Sequence, residues 1–349
     1  MQRVAYLWIP FLLMCWNPVL SQDEAERPKG KLKGYMFGDY FYNIQHNDSA
    51  QEDLNGFQFR RIYFTYDYSI SESFDSRFRL EADQKANASN GKIGVFVKDA
   101  YLRWKNIFEG SDAFVGISPT PAKVVSERIW GYRSLEKTIT DLHGIVSSRD
   151  IGVDLKGRLD ARGLVNYWFK IGNNSGNRPE TDKHKRFYGL LHLKPTSKVE
   201  IAGYADYATR VDKFDSFDGR SKSNDALVAA AFGGYTEKDH YSVGLEGFYR
   251  SVQNNFRRSP TQALEDESSF GVSAFAWVLL VEKVHLIGRY DFLDPNTKAD
   301  DDGNSLVIGA IDYMPTKKVH LMPNLRIQIY QADIDTDVVG RFTFYYLFK

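Results

Sequence analysis

Apolar and polar residues alternate with a period of two along most of this chain, in segments of about 9–12 residues set apart by turn residues. Ile62, Phe64, Tyr66 and Tyr68 share one face of a strand whose other face carries Arg61, Tyr63, Thr65 and Asp67. Phe78, Leu80 and Ala82 oppose Arg77, Arg79, Glu81 and Asp83, and Ile151, Val153 and Leu155 oppose Asp150, Asp154, Lys156 and Arg158. Val165, Tyr167, Phe169 and Ile171 oppose Asn166, Trp168 and Lys170; Leu321, Leu325, Ile327 and Ile329 oppose His320, Asn324, Arg326 and Gln328. A soluble sandwich alternates too, but its strands average about 5–6 residues. A tilted strand crossing hydrocarbon needs about 9–11. The pattern predicts an all-β chain whose apolar faces meet lipid.

Sixteen such strands are expected, at 31–44, 57–70, 74–83, 95–105, 112–119, 149–159, 164–173, 185–194, 199–209, 225–235, 241–252, 268–280, 284–292, 305–314, 319–331 and 337–348. Short connections with strong turn chemistry, such as Asp160-Ala161-Arg162-Gly163 and Pro315-Thr316-Lys317-Lys318, alternate with long polar ones at 45–56, 84–94, 174–184, 210–224, 253–267 and 293–304. The last connection, 332–336, falls on the long side and is short. Unpaired backbone is not tolerated in lipid, so the sheet must close on itself. The expectation is a closed antiparallel transmembrane β-barrel with short periplasmic turns, long extracellular loops and both termini on the short side.

The first residues bear on the compartment. Arg3 precedes an apolar run from Val4 to Trp16 that only Pro10 interrupts, and Asn17-Pro18 breaks it ahead of Val19-Leu20-Ser21. The run is shorter than the roughly 20 residues of a spanning helix. Residues 1–21 therefore read as a secretory signal peptide cleaved near Ser21–Gln22, and residues 22–349 as the barrel. Cys15, the only cysteine, lies between Met14 and Trp16, a poor setting for lipid attachment; the mature chain then holds no disulfide and no thiolate metal site. Aromatic residues make up 15% of the chain, and 45 basic residues balance 45 acidic ones, so no global charge points to nucleic acid.

The longest connection, Thr120 to Ser148, joins the fifth and sixth strands, where general porins carry their pore-constricting loop. Within it, the segment Val125-Ser126-Glu127-Arg128-Ile129-Trp130-Gly131-Tyr132-Arg133-Ser134-Leu135-Glu136-Lys137-Thr138 resembles one in bacterial outer-membrane porins related to the phosphate-selective porin O and P group. Ser148-Arg149-Asp150-Ile151-Gly152-Val153-Asp154-Leu155-Lys156-Gly157 looks like the strand that follows there, and Tyr290-Asp291-Phe292-Leu293-Asp294-Pro295-Asn296 is similar to a late-strand stretch of the same group. The resemblance implies a porin in the bacterial outer membrane, without cofactor. Its partners would be outer-membrane lipid and lipopolysaccharide, the barrel-assembly machinery and small polar solutes or anions, with a homotrimer expected by analogy. The C-terminus departs from such barrels, because Lys349 follows the alternating Phe342, Phe344, Tyr346 and Phe348.

Other chemistry finds little support. None of the seven histidines has a paired metal spacing, and no nucleophile motif accompanies His192 or His285 on their strands, so no enzyme is expected. Asp294, Asn296, Asp300 and Asp302 form an oxygen-rich loop that is a weak calcium candidate without the EF-hand spacing; a solvated acidic loop is the preferred reading.

The leading reading is a water-filled channel for passive diffusion of small polar solutes, with anions such as phosphate favoured. Lys123, Arg128, Arg133 and Lys137 are expected at the constriction, and Arg61, Arg77, Arg79, Arg149, Arg289 and Arg326 along the lining. Val125, Ile129, Tyr132 and Leu135 have the spacing of one helical face that would pack on the inner wall, leaving Arg128, Arg133 and Lys137 to water. Val153 should reject charge and Asp154 tolerate it. A transporter of fatty-acid type would need an apolar inward stripe, and a structural or adhesive barrel would have a blocked lumen.

Overall fold

In a computed structural model, which describes residues 30–84 and 91–348, sixteen strands pair in an unbroken antiparallel ring. The first six are β1 (Gly30–Gln45), β2 (Asn55–Ser69), β3 (Phe74–Asp83), β4 (Gly94–Phe108), β5 (Ser111–Pro119) and β6 (Arg149–Arg158). Next come β7 (Val165–Gly172), β8 (Arg186–Leu193) and β9 (Val199–Ala208). A small hairpin, β10 (Lys213–Asp215) and β11 (Arg220–Lys222), sits inside one long loop and stays outside the ring. The ring resumes with β12 (Ala226–Glu237), β13 (Tyr241–Phe256), β14 (Glu265–Val281) and β15 (Val284–Asp294). It ends with β16 (Asn304–Thr316), β17 (Val319–Tyr330) and β18 (Asp337–Phe348). β1 and β18 close it, in the register Gly34↔Phe348 to Tyr42↔Gly340.

The closed, sixteen-stranded antiparallel barrel read from the alternation is the observed fold, and short turns lie on one rim with long loops on the other. Residues 1–29, which include the expected signal peptide and Cys15, and Lys349 lie outside the described residues. Phe64, Tyr66, Val153, Phe169 and Leu325 are exposed on the outer face, with Leu80, Ile151 and Ile327 on the same side and less open. Tyrosines stand on the outer face toward both rims: Tyr241, Tyr313 and Tyr346 near the short turns, Tyr207, Tyr249 and Tyr290 toward the long loops. That is the aromatic girdle of a lipid-embedded barrel.

The core of this molecule lies inside the ring. The segment 120–148 leaves β5 through Pro119 and Pro121 and forms a 3₁₀ turn (Pro121–Lys123), α1 (Val124–Trp130) and α2 (Ile139–Leu142). Its ends are tied together where Thr120 N–H donates to Ser148 O at 3.3 Å and its hydroxyl to Ser147 O. Val125, Ile129, Trp130, Tyr132, Leu135 and Ile139 are buried in one cluster with inward residues of β7 to β17, among them Trp168, Leu190, Phe232, Phe248, Phe275 and Met322. The segment therefore folds inward against the wall, and Trp130 and Ile139 lose all contact with solvent.

Candidate functional site

The inner wall has two unlike halves. Over β8–β17 the inward positions carry the apolar cluster beneath the folded-in loop, with charges such as Asp206, Glu246 and Arg289 among them, whereas over β1–β6 charged side chains predominate beside Phe37, Tyr63 and Phe114. Alternation in the sequence suggested polar inward faces throughout; the apolar half was missed because its inward aromatics and aliphatics, such as Tyr204, Val228 and Phe248, alternate with outward residues equally apolar. At those positions the two faces offer no contrast to read.

The loop reaches this wall by a different route from the one its spacing suggested. α1 ends at Trp130, where Gly131 adopts φ +70° and donates to Glu127 O at 3.1 Å. Tyr132 and Leu135 then join Val125 and Ile129 through the turn rather than along one helical face. Trp130 packs 5.0 Å from Phe275 between ring centroids and donates its indole N–H to Glu136 O at 2.9 Å. Polar tethers finish the attachment. Arg60 donates to Leu135 O at 3.0 Å, Arg289 to Lys137 O at 2.6 Å, and the Thr140 hydroxyl to Glu246 at 3.1 Å.

Opposite the apolar half stands a cluster of paired charges. Arg61 and Lys98 each lie 2.7 Å from Glu81, Arg79 lies 3.1 Å from Asp99, Arg60 lies 2.6 Å from Asp39, and Arg149 also pairs with Asp99. Five cations thus face three carboxylates, in surroundings where little water reaches them. Two β-bulges build the cluster. Pairing between β1 and β2 shifts between Phe37↔Arg61 and Gly38↔Phe59, so Arg60 is the extra residue and turns inward beside Arg61. Pairing between β3 and β4 shifts between Arg79↔Asp99 and Leu80↔Val97, which turns Lys98 inward beside Asp99. Arg60 and Lys98 were not anticipated. Their signal was available as two neighbouring charged pairs, Arg60-Arg61 and Lys98-Asp99, in strands where strict alternation would put one member in lipid at about 2–4 kcal/mol.

The expected site residues divide between several places. Arg61, Arg79 and Arg149 belong to the wall cluster. Arg77 pairs with Asp67 at 2.6 Å, nearer the short-turn rim. Arg289 is 4% exposed, held by both oxygens of Asp291, and sits behind the loop as a tether, not on an open lining. Arg326 reaches Glu136 of the loop at 3.5 Å. On the loop itself, Arg133 bridges Asp141 at 2.9 Å and Glu127 at 3.5 Å, and Lys137 is half-buried. Arg128 is the most open of the four; it pairs with Glu200 at 2.6 Å beside a cavity of about 450 Å³ that Lys156, Trp168 and His192 also line.

Lys123 is buried against Asp141 and does not project into an opening. Burial pushes its ammonium down to about 8 against the pull of Asp141. Burial acts to raise Asp141 in turn, but Lys123 and Arg133 outweigh it and hold the carboxyl well below the usual range. Asp154 also differs from expectation. It lies buried in contact with Lys170 at 3.1 Å and the Trp168 indole N–H at 2.6 Å, so an added cation there has no water to enter. Asp302 lies near Asp294 and the Asn296 backbone N–H, but Asp300 does not complete a site with them: among the described residues no three His, Cys, Asp or Glu side chains stand together as metal ligands.

No protein-family model matches the sequence, and neither does any curated protein. Solved structures do share the fold. The anion-selective porin from Comamonas acidovorans superposes with a TM-score of 0.66 at 11% identity, over 92% of this chain and 100% of that one. The outer membrane channel DcaP of Acinetobacter baumannii gives 0.66 at 10% identity, over 92% and 97%. A loop L8 deletion mutant of OmpT, an outer membrane protein of Vibrio cholerae, gives 0.65 at 12% identity, over 92% and 99%. The chain is a closed barrel of the bacterial outer-membrane type.

Proposed function

We propose that this protein is an outer-membrane porin, a passive channel for small polar solutes in which the segment 120–148 narrows the lumen. The observation that carries the reading is the inward-folded loop facing a charged wall. A sixteen-stranded barrel encloses a wide aqueous space, and a loop packed on the apolar half of its wall and tied to the charged half through Arg60 leaves a narrowed passage beside that charged half. Five cations against three carboxylates there give a local positive excess that the balanced overall charge conceals, and low local dielectric strengthens it. The channel therefore favours anions weakly, through Arg60, Arg61, Arg79, Lys98 and Arg149, with phosphate among the candidate solutes. On this reading the short turns are periplasmic, residues 1–21 are removed on export, the barrel-assembly machinery inserts the chain among lipid and lipopolysaccharide, and three copies assemble.

Conductance and reversal potential in a planar bilayer under a salt gradient test both parts. Stepwise openings with a potential shifted toward the anion equilibrium value are expected. Clear cation selectivity would remove the anion preference. A specific observation favours a second reading, a structural barrel with a blocked lumen: Arg61, Lys98 and Arg149 are each only 9% exposed. A correctly inserted barrel that passes no current would establish it.

A further inference from the structure

A cavity of about 390 Å³ lies under the loop toward the short-turn rim, bordering the charged cluster where Arg60 and Arg61 lie over the ring of Phe37. Its size is that of a small-molecule site, for which about 300–1,000 Å³ is usual. Aromatic rings make most of its wall: Tyr35 and Tyr345 stand 5.7 Å apart on β1 and β18, Trp277 stacks on His285 at 4.5 Å and 14°, and His320 meets Tyr345 edge-on at 5.2 Å. The loop supplies Tyr132.

A single buried carboxylate orders the polar groups. Asp312 has no solvent exposure; its Oδ2 lies 2.7 Å from His320 Nδ1 and 3.2 Å from the Tyr132 hydroxyl, which in turn lies 2.6 Å from His285 Nδ1. A carboxylate can only accept, so His320 donates from Nδ1 and Tyr132 donates its hydroxyl proton to Asp312. The tyrosine oxygen must then accept from His285 Nδ1. In the neutral form of either imidazole this leaves Nε2 as an acceptor, and neither Nε2 has a hydrogen-bond partner among the described residues.

We propose that this cavity is a binding site for a neutral hydroxylated ring of the monosaccharide class, which would make such sugars solutes of the channel proposed above. The two acceptors call for a ligand that brings hydrogen-bond donors, and the rings call for one with apolar faces to lay against them. A carboxylate solute brings no donor. A cation is disfavoured by Arg133 at the cavity wall and by Arg61, whose guanidinium lies 5.7 Å from the ring of Phe37, another lining residue. A metal ion would find two imidazoles and no third His, Cys, Asp or Glu ligand among the described residues.

Calorimetric titration of the detergent-solubilised protein with D-glucose, alongside bilayer recordings in potassium chloride, tests this. Saturable glucose binding is expected, weakened at least about tenfold in Trp277→Ala and again in His320→Phe, which keeps a ring but removes the acceptor. Barrel formation is checked for each variant by heat-modifiable migration; His285→Phe replaces either one that does not form a barrel. A conducting channel that shows no saturable glucose binding overturns the proposal, as does binding unchanged in the variants. So does tighter binding of nickel or of benzoate than of glucose. Glucose binding without conductance would uphold the site and sink the channel reading instead.

Discussion

Lys170 and Asp154 are both fully buried within the barrel, 3.1 Å apart, and the Ser118 hydroxyl bonds to each of them. Removing one partner of such a pair strands the other charge away from water, which costs about 3–5 kcal/mol, whereas exchanging both for apolar residues of similar volume is often near neutral. Asp154→Asn is therefore expected to lower the urea midpoint of unfolding from vesicles more than the double variant Asp154→Leu with Lys170→Met. The opposite order would mean that water reaches the pair. One residue back, Val153 is 54% exposed on the lipid face, and Val153→Arg should destabilise by about 2–4 kcal/mol in the same measurement while Val153→Leu changes little. Parity in the sequence separated these two neighbours correctly into outside and inside. It carried no information on depth, because whether an inward residue meets water or protein depends on a loop from elsewhere in the chain. On the long-loop side, buried Asp215 accepts from Lys222 at 2.7 Å and from the backbone N–H groups of Leu264 and Phe217 at 2.8 and 3.0 Å. Burial acts to raise its pKa, but these bonds and that of Arg257 outweigh it and the carboxyl is held low. A depressed carboxylate contributes its stability above the unfolded value of about 3.9 and loses it only as the pH falls through the lower folded value. Amide exchange at Phe217 and Leu264 should accordingly be as slow at pH 5 as at pH 7 once corrected for intrinsic rates. Asp215→Asn should speed it at both.

At the scale of the elements, the barrel strands were legible because a lipid face enforces their alternation, and they failed to be legible where that alternation is interrupted. The bulges in β2 and β4 are such interruptions, and each adds one cation to the wall. Their selectivity effect is expected to be local. Arg60→Gln and Lys98→Gln should each move the reversal potential toward that of cations, whereas Arg77→Gln, which leaves a pair nearer the rim, should move it little. Equal shifts from all three would place the selective region elsewhere. The loop was legible as an insertion with apolar content, yet its path was not, since that depends on the left-handed residue at Gly131. A β-branched residue is strained at that φ by about 1–2 kcal/mol. Gly131→Val should loosen the turn that delivers Tyr132 to Asp312, which current noise in open channels would register as added flicker.

For the whole molecule, the loop is both the proposed constriction and the missing half of a hydrophobic core. Val125, Trp130, Leu135 and Ile139 are buried, each worth roughly 1.5–3 kcal/mol relative to exposure, an upper estimate since the unfolded chain buries some of this surface too. The wall shares in that gain, because Leu190, Phe232, Phe248, Phe275 and Met322 would face water without it. Shortening the chain between Ala122 and Thr140 therefore has two coupled consequences. Conductance should rise severalfold as the lumen opens to its full width, and thermal stability should fall because the exposed apolar half-wall has no cover. A cap lying across the mouth would give a different pair of results, since the inner wall would lose nothing when it is cut back. A milder variant separates the effects where the shortened barrel fails to assemble. Trp130→Ala removes the side chain at the centre of the cluster at a cost of about 3–5 kcal/mol, yet leaves the loop's polar tethers through Arg60, Arg289 and Glu246 in place. The barrel should still form, with a lower melting temperature and brief excursions to a wider open state in single-channel records. A variant that melts earlier but conducts with one unchanged level would mean that the loop supports the fold without setting the size of the pore.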